Sequence, residues 1–359
     1  MLDTMRNLKV VDISSVLAGP SVGMFFAELG AKVIKFENPK TKGDVTRSWR
    51  TKNESADSPV SAYWSSINYG KDILMVDISS SEGHQKLMEL LADADILISN
   101  FKHGDDVKFN ITYESLSFQF PKLICASISG YTSNPDRIAY DVVLQAETGF
   151  MHMNGAVDGG PVKMPVALID ILAAHQLKEG ILCALLEREK TGKGMLVNCS
   201  LEKAGLASLA NQSANYLMTR AVAQRAGSLH PNIAPYGDMF KCADGKYIVL
   251  AIGSDKQFAE LTSILGIPEL STQDLFINNI SRLQNREAMD IELTKAFAQK
   301  KSNEWMSIFI QNNVPAGAIK DMEEVINSEV AQSMILEENV EGQITKRLSS
   351  VAFTIKQES

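Results

Sequence analysis

Short apolar runs separated by polar turns set the pattern of the first third of the chain. Leu8–Ile13 carries Leu8, Val10, Val11 and Ile13 and reads as a short buried strand. After the loop Ser14–Pro20, residues 21–30 place Val22, Phe25, Phe26 and Leu29 at helical spacing, and Gly30 stops the run. Ala31–Glu37 is the next strand. This order is a βαβ unit, whose crossover makes its two strands parallel. The pattern recurs with a strand over Asp72–Asp77, a helix over 81–92, a strand over Asp95–Ser99 and another over Leu123–Gly130, while 40–70 is polar and irregular. These elements predict an α/β domain built on an open, Rossmann-like parallel sheet, whose ligands collect at the carboxyl ends of the strands.

Further on, Tyr140–Ala146 opens a helix and Gly149–Lys163 is a Gly- and Met-containing loop. Pro165–His175 then holds one carboxylate, Asp170, in an almost unbroken apolar run that leads into Ala-rich helical sequence as far as Thr191–Gly194. Met195–Leu201 reads as a strand and 202–224 as helical. The character changes at Gly227–Gly237, a loop with two prolines. Asp238–Cys242 and Lys246–Leu250 form a predicted hairpin on a turn containing Asp244–Gly245. Helices near 255–265, 286–299 and 303–312 and a short strand at Val314–Ala318 complete a smaller α+β domain over 226–321. The expected organisation is a large domain from 1–205 and 322–359, a linker over 206–225, and this small domain.

Composition narrows the function classes. A net charge of −8, with no basic stripe interleaved with aromatics, argues against nucleic-acid binding. No window approaches ~20 consecutive apolar residues, so no membrane span is expected. Met1–Asn7 lacks the apolar core of a signal peptide, and none of Cys125, Cys183, Cys199 and Cys242 belongs to a CxxC pair. The four read as small buried hydrophobes in a reduced, cytoplasmic protein. No two histidines have metal-ligand spacing, so no metal site is expected. The first βαβ loop carries Gly19 and Gly23 but not GxGxxG. Despite Glu37 at the end of the second strand, a nucleotide redox cofactor is therefore not expected.

Asp170 has two readings at this level. It is a helix N-cap accepting from backbone N–H groups, or a desolvated carboxylate nucleophile kept ionised by a helix start. The motifs around it carry a resemblance that bears on the choice. Val11–Asp12 with Leu17–Pro20, Leu29–Glu37, Gly43–Asp44, Asn68–Lys71, Asp95–Phe101 with Gly104, Tyr140–Asp141 with Gln145, Ala146 and Gly149, Asp170, Thr191–Gly194, Pro235–Tyr236 and Asp244–Gly245 stand in one order. Together they resemble the class III CoA-transferases, a family that also contains the α-methylacyl-CoA racemases.

The resemblance implies a large open α/β domain formed from both chain ends, a smaller domain, and two chains interlaced as linked rings in a homodimer. It implies coenzyme A as the bound group, an acyl-CoA and a small carboxylic acid as substrates, and Asp170 as the catalytic carboxylate. Val16, Leu17 and Ala18 would line the thiol end and pantetheine. Asn100 and Phe101 would touch the nucleotide half. Lys108 matches a phosphate-binding arginine, and Asn38 stands where one branch has an arginine near adenine. For Lys35, Arg47 and Lys71, a solvated surface and phosphate contact are both open. Tyr140, His152 and His230 are substrate-side candidates. The Gly-rich segment 155–160 and the loop 226–237 are candidate sources of oxyanion-stabilising N–H groups.

Two departures separate the branches. Racemases have a histidine base where this chain has Tyr140, and a phenol near pKa 10 is a poor base at neutral pH. They also have an acidic residue where this chain has Gly253. Both favour transfer over racemisation, which remains the alternative together with a CoA-binding protein without turnover. The glycine-quartet loop of the formyl-CoA:oxalate branch is absent. The family usually continues past Phe353–Ile355 with a Pro-rich stretch and a helix, whereas this sequence stops at Ser359.

Overall fold

A computed structural model of the chain describes residues 3–355. Residues 1–2 and 356–359, the extreme ends of the expected large domain, lie outside the described residues. The chain divides into two compact units: one of 1–151, 163–222 and 329–359, the other of 152–162 and 223–328.

In the first unit, β1 (Lys9–Asp12), β2 (Lys32–Glu37), β3 (Lys71–Met75), β4 (Ile96–Ser99), β5 (Ile124–Ser129) and β6 (Leu196–Ser200) form one sheet in the order β3-β2-β1-β4-β5-β6. Every neighbouring pair is parallel. Side chains alternate across the strands. Val10, Ile96, Ile98 and Ile124 face the helices Ala18–Glu28 and Leu168–Thr191. Val11, Leu97 and Cys125 face a second core with Leu87 and Leu91 of helix Ser81–Leu91 and Leu116 of helix Tyr113–Gln119. Helices thus cover both faces, and the strand order reverses between β1 and β4. Their exit loops diverge there and leave a crevice.

Two stretches differ from the sequence expectation. Part of the irregular 40–70 stretch is a helix, Ala62–Asn68, started by the Ser61 hydroxyl, which accepts from Trp64 N at 2.9 Å. Its pattern is masked by polar residues, but Trp64 and Ile67 are buried. Near the end of the chain, β10 (Ile335–Val340) and β11 (Gln343–Leu348) pair antiparallel around Glu341–Gly342, whose φ values of 52° and 89° suit a tight hairpin turn. Adjacent charged residues break the alternation in both strands, Glu337–Glu338 in β10 and Lys346–Arg347 in β11, which kept the hairpin from standing out as a strand signal.

The second unit has β7 (Tyr236–Lys241), β8 (Tyr247–Ala251) and β9 (Ala316–Ala318) in one antiparallel sheet. Its core stacks Phe240 on Phe297 at 4.8 Å and Trp305 on Phe309 at 5.6 Å. The segment 152–162 belongs here because Gly227 N donates to Gly155 O at 3.0 Å and Arg225 donates to Gly159 O and His152 O.

The cysteine expectation needs one correction. Cys125 and Cys242 are buried and Cys199 is half-buried, but Cys183 is exposed. It lies on the stripe Gln176, Glu179, Cys183, Glu187 of helix Leu168–Thr191, whose three- and four-residue spacing faces solvent.

Candidate active site

Helix Leu168–Thr191 sets the site. Ile169, Leu177 and Ile181 are fully buried, each contributing about 1.5–3 kcal/mol, and Gly192 closes the helix in a left-handed conformation. Its N-cap position is Ala167, which has no side chain able to cap. Asp141, at the start of helix Asp141–Glu147, reaches across instead. Its Oδ1 accepts from Ile169 N at 2.7 Å and from Asp170 N at 3.4 Å. Asp170 therefore occupies the first turn without being its cap. Of the two sequence readings, the capping role passes to Asp141.

The Asp170 side chain is buried, and burial together with the neighbouring Asp141 carboxylate pushes its carboxyl up to about 7. The helix start favours the ionised form, but burial and like charge outweigh it. Asp170 and Asp141 lie on the wall of a cleft of about 900 Å³ that also includes Val16, Leu17, Ala18, Asn100, Phe101 and Tyr140.

The loop presenting Val16–Ala18 is held by a buried polar network. Asp12, at the end of β1, accepts from Ser14 N at 3.0 Å and from Lys71 Nζ at 2.8 Å. Lys71 also donates to Pro20 O and Asn68 Oδ1. Lys35 Nζ donates to Ser14 O at 2.7 Å and pairs with Asp44 at 3.3 Å. Ser15 and Asn100 exchange two hydrogen bonds at 2.9 and 2.8 Å, and Val16 N donates to Asp44 Oδ2 at 3.1 Å. Val16 holds this geometry at a φ of 70°, a strain on the order of 1–3 kcal/mol for a β-branched residue. Glycine is required beside it, since a Cβ on Gly19 would stand 2.3 Å from Ser14 Oγ.

Lys35 and Lys71 are thus neither solvated nor free for phosphate. Burial lowers Lys71 to about 8 even beside Asp12, whereas Asp12 stays below the usual range because Lys71 and Lys35 outweigh its burial. Arg47 is likewise engaged, with Glu37 at 2.6 Å and over the Trp64 ring. Glu37, the acidic strand end, takes Arg47, Asp44 N and Trp64 Nε1, which accounts for it without a ribose.

The remaining candidates separate. Asn38 caps the short turn Pro39–Thr41, accepting from Lys40 N at 2.9 Å, and Lys108 lies over the Phe109 ring at 5.3 Å; neither is on the cleft wall. Tyr140 precedes helix Asp141–Glu147 and is 60% exposed. His152 and His230 belong to the second unit. His230 Nδ1 accepts from Asn232 N at 3.1 Å and its ring meets Tyr236 edge-on. In the Gly-rich and 226–237 segments, the N–H groups of Gly159, Gly227 and His230 are already donated within the unit.

Sequence reasoning missed Tyr63. Burial, then the charges of Asp170, Asp141 and Asp44, push its phenol up to about 12, so it stays protonated. Its ring meets Trp49 edge-on at 5.0 Å. The signal available was Ser61 three residues before Trp64, a helix start inside a stretch that reads as irregular. Two thiols on the cleft wall, Cys125 and Cys199, are raised by burial, Cys125 to about 12, and so are not thiolate nucleophiles. Among the described residues, no group of three or more His, Cys, Asp and Glu is arranged to hold a metal, and no helix is long and apolar enough to cross a membrane.

The family model described as CoA-transferase family III matches residues 5–357. A succinate–glutarate CoA-transferase of Agrobacterium fabrum is 35% identical over 94% of this chain and 86% of its own length. The succinyl-CoA:glutarate CoA-transferase of Mus musculus is 34% identical over 90% and 73%. The crystal structure of a CaiB/BaiF family protein from Brucella suis superposes with a TM-score of 0.82 at 34% identity, covering 98% of this chain and 92% of that one.

Proposed function

This chain belongs to CoA-transferase family III, and we propose that it moves CoA from an acyl-CoA donor to a carboxylic acid acceptor with Asp170 as the covalent nucleophile. The observation that carries this reading is a single buried carboxyl, titrating near neutrality, in the first turn of a long helix and on the cleft at the sheet's switch point. In the proposed sequence the Asp170 carboxylate attacks the thioester carbonyl, the C–S bond breaks, and an aspartyl–acyl anhydride and CoA thiolate result. The thiolate attacks the aspartyl carbonyl, expelling the donor carboxylate and leaving an aspartyl-CoA thioester. An acceptor carboxylate then attacks that thioester and the two steps run in reverse. The thioester bond is conserved throughout, so no other energy source enters.

Succinyl-CoA as donor and a C5 dicarboxylate such as glutarate as acceptor are the first pair to test, because two relatives bear those names. The pantetheine arm is proposed to lie along Val16–Ala18, Asn100 and Phe101. Asn38 and Lys108 would then meet only parts of CoA that project past the cleft wall. Tyr140, His152 and His230 remain proposed acid-side contacts. The racemase reading is weaker because Tyr140 and Gly253 replace its two proton-handling residues. An interlaced homodimer is part of the proposal. It is supported by helix Ala210–Thr219, which has no buried residue and exposes Leu217 and Met218.

The test is to incubate the protein with succinyl-CoA, quench with hydroxylamine or borohydride, and map the modified peptide by mass spectrometry. Modification at Asp170 is expected. An active protein that turns over with Asp170 unmodified would rule out the covalent route. Exchange of the α-hydrogen of a 2-methylacyl-CoA without acceptor would restore the racemase reading.

A further inference from the structure

Gln145 is fully buried in helix Asp141–Glu147, one turn after Asp141 and on the same face. Its amide is used at both ends. Nε2 donates to Asp141 Oδ2 at 2.7 Å and faces Val166 O at 3.4 Å, while Oε1 accepts from Met164 N at 2.8 Å. Two acceptors on one side and one N–H on the other fix which end is which. The Asp141 oxygen not held by Gln145 is the one that accepts from Ile169 N and Asp170 N. One buried amide therefore joins the start of one helix, the 164–166 segment leading into the next, and the turn that carries Asp170.

We propose that Gln145 is a positioning residue for Asp170, acting through Asp141 and the 164–166 segment. Its amide holds Asp141 in the one orientation that caps the Asp170 turn, and pins the chain just before that turn. A cap that swings loose lets the first turn fray, and Asp170 then samples orientations from which it cannot reach a carbonyl. The same contact sets how close the Asp141 charge stands to Asp170. The inference rests on the proposed role of Asp170, but it concerns a contact whose effect can be read without turnover.

The polarity of the pair supplies a test that simple deletion does not. In Asp141→Asn the introduced amide nitrogen faces Gln145 Nε2, donor against donor. In the double variant Asp141→Asn/Gln145→Glu, the carboxylate introduced at position 145 accepts both from the amide nitrogen introduced at position 141 and from Met164 N, and gives up only the long contact to Val166 O. The amide oxygen at position 141 still caps Ile169. The charge has moved one helical turn, off the residue that bonds the Asp170 backbone. CoA transfer from succinyl-CoA to glutarate is measured for wild type, Gln145→Leu, Asp141→Asn and the double variant. In parallel, the pH at which Asp170 ionises is read from the pH dependence of thermal stability against matched Asp170→Asn partners.

Gln145→Leu and Asp141→Asn are each expected to lose roughly ten- to a hundred-fold in kcat, with KM for succinyl-CoA changed less than about three-fold, as small misplacements of a reacting group do. The double variant should recover most of that loss, and its Asp170 ionisation should move to lower pH than in wild type. Unchanged kcat in Gln145→Leu, or a double variant no better than Asp141→Asn, overturns the proposal. If Gln145→Leu does not fold, the comparison of Asp141→Asn with the double variant decides alone. If wild type transfers no CoA between these acids, the activity arm speaks against the proposed function. The ionisation arm still decides the Gln145 contact through Gln145→Leu, since an Asp170 midpoint there equal to that of wild type overturns it.

Discussion

Asp170 is where opposing electrostatic influences meet, and their balance has consequences that can be measured. Its carboxyl titrates near 7 in the folded chain and near 3.8 when unfolded. Below about pH 4 both states are protonated and the group has no effect on stability. As pH rises from 4 to 7 the unfolded chain loses its proton while the folded chain keeps it, so stability falls. Above 7 the deficit is complete and constant. Asp170→Asn is therefore expected to melt with wild type at pH 4 and above it at pH 8, by at most about 4 kcal/mol at roughly 1.4 kcal/mol per pH unit. Identical melting at both pH values would count against a buried, raised carboxyl. For catalysis, the acid limb of kcat/KM for CoA transfer should lie near pH 7, and Asp170→Ala should remove transfer while remaining folded by circular dichroism. At this scale the sequence pointed to Asp170 through the company of ordered motifs, but not to its partners. Asp141 bonds the Asp170 backbone from 29 residues away, Gln145 holds Asp141, and the Tyr63 phenol feels the charge of Asp170 from 107 residues away, and only tertiary packing brings them there.

The strands and helices of the first unit were legible because apolar residues recur there at spacings a parallel sheet requires. What could not be read was which charges go inside. Lys35 stands between Ile34 and Phe36 in β2, and Lys71 opens β3 beside Asp72, both as solvent-facing positions would, yet both are buried. Lys71 is retained because Asp12, Pro20 O and Asn68 together satisfy its ammonium. Breaking such a pair leaves an uncompensated buried charge, so Lys71→Met should cost about 3–5 kcal/mol in urea unfolding. Lys40, paired with Asp77 but 74% exposed at its side chain, is the control. Lys40→Met should change stability by less than about 1 kcal/mol. Equal effects at the two sites would show that the network under the Val16 loop does not carry the load its geometry indicates.

At the scale of the whole molecule, sequence periodicity yielded two kinds of architecture, a doubly wound sheet and a small antiparallel unit. The hairpin of β10 and β11 escaped it, since adjacent charged residues interrupt the alternation in each strand and no Gly-rich or Asn-Gly turn marks the reversal. Periodicity is also silent on how chains associate, because an exposed apolar residue reads the same whether solvent or a second copy covers it. Leu217 and Met218 are 68% and 86% exposed on a helix with no buried residue, and Val222 just beyond it is 60% exposed. Apolar surface of this kind is unusual unless something covers it. If two chains are linked as the proposal holds, light scattering should give twice 39.3 kDa. The dimer should also persist on dilution to nanomolar concentration, because linked rings cannot part without a chain unfolding. Mixing tagged and untagged protein should then yield no mixed dimers until the sample is unfolded and refolded together. Leu217→Glu/Met218→Glu should lower the yield of refolded dimer more than it disturbs the sheet core, read by near-ultraviolet circular dichroism. A monomer, or a dimer that exchanges subunits within minutes under native conditions, would exclude interlacing and leave those side chains to some other partner.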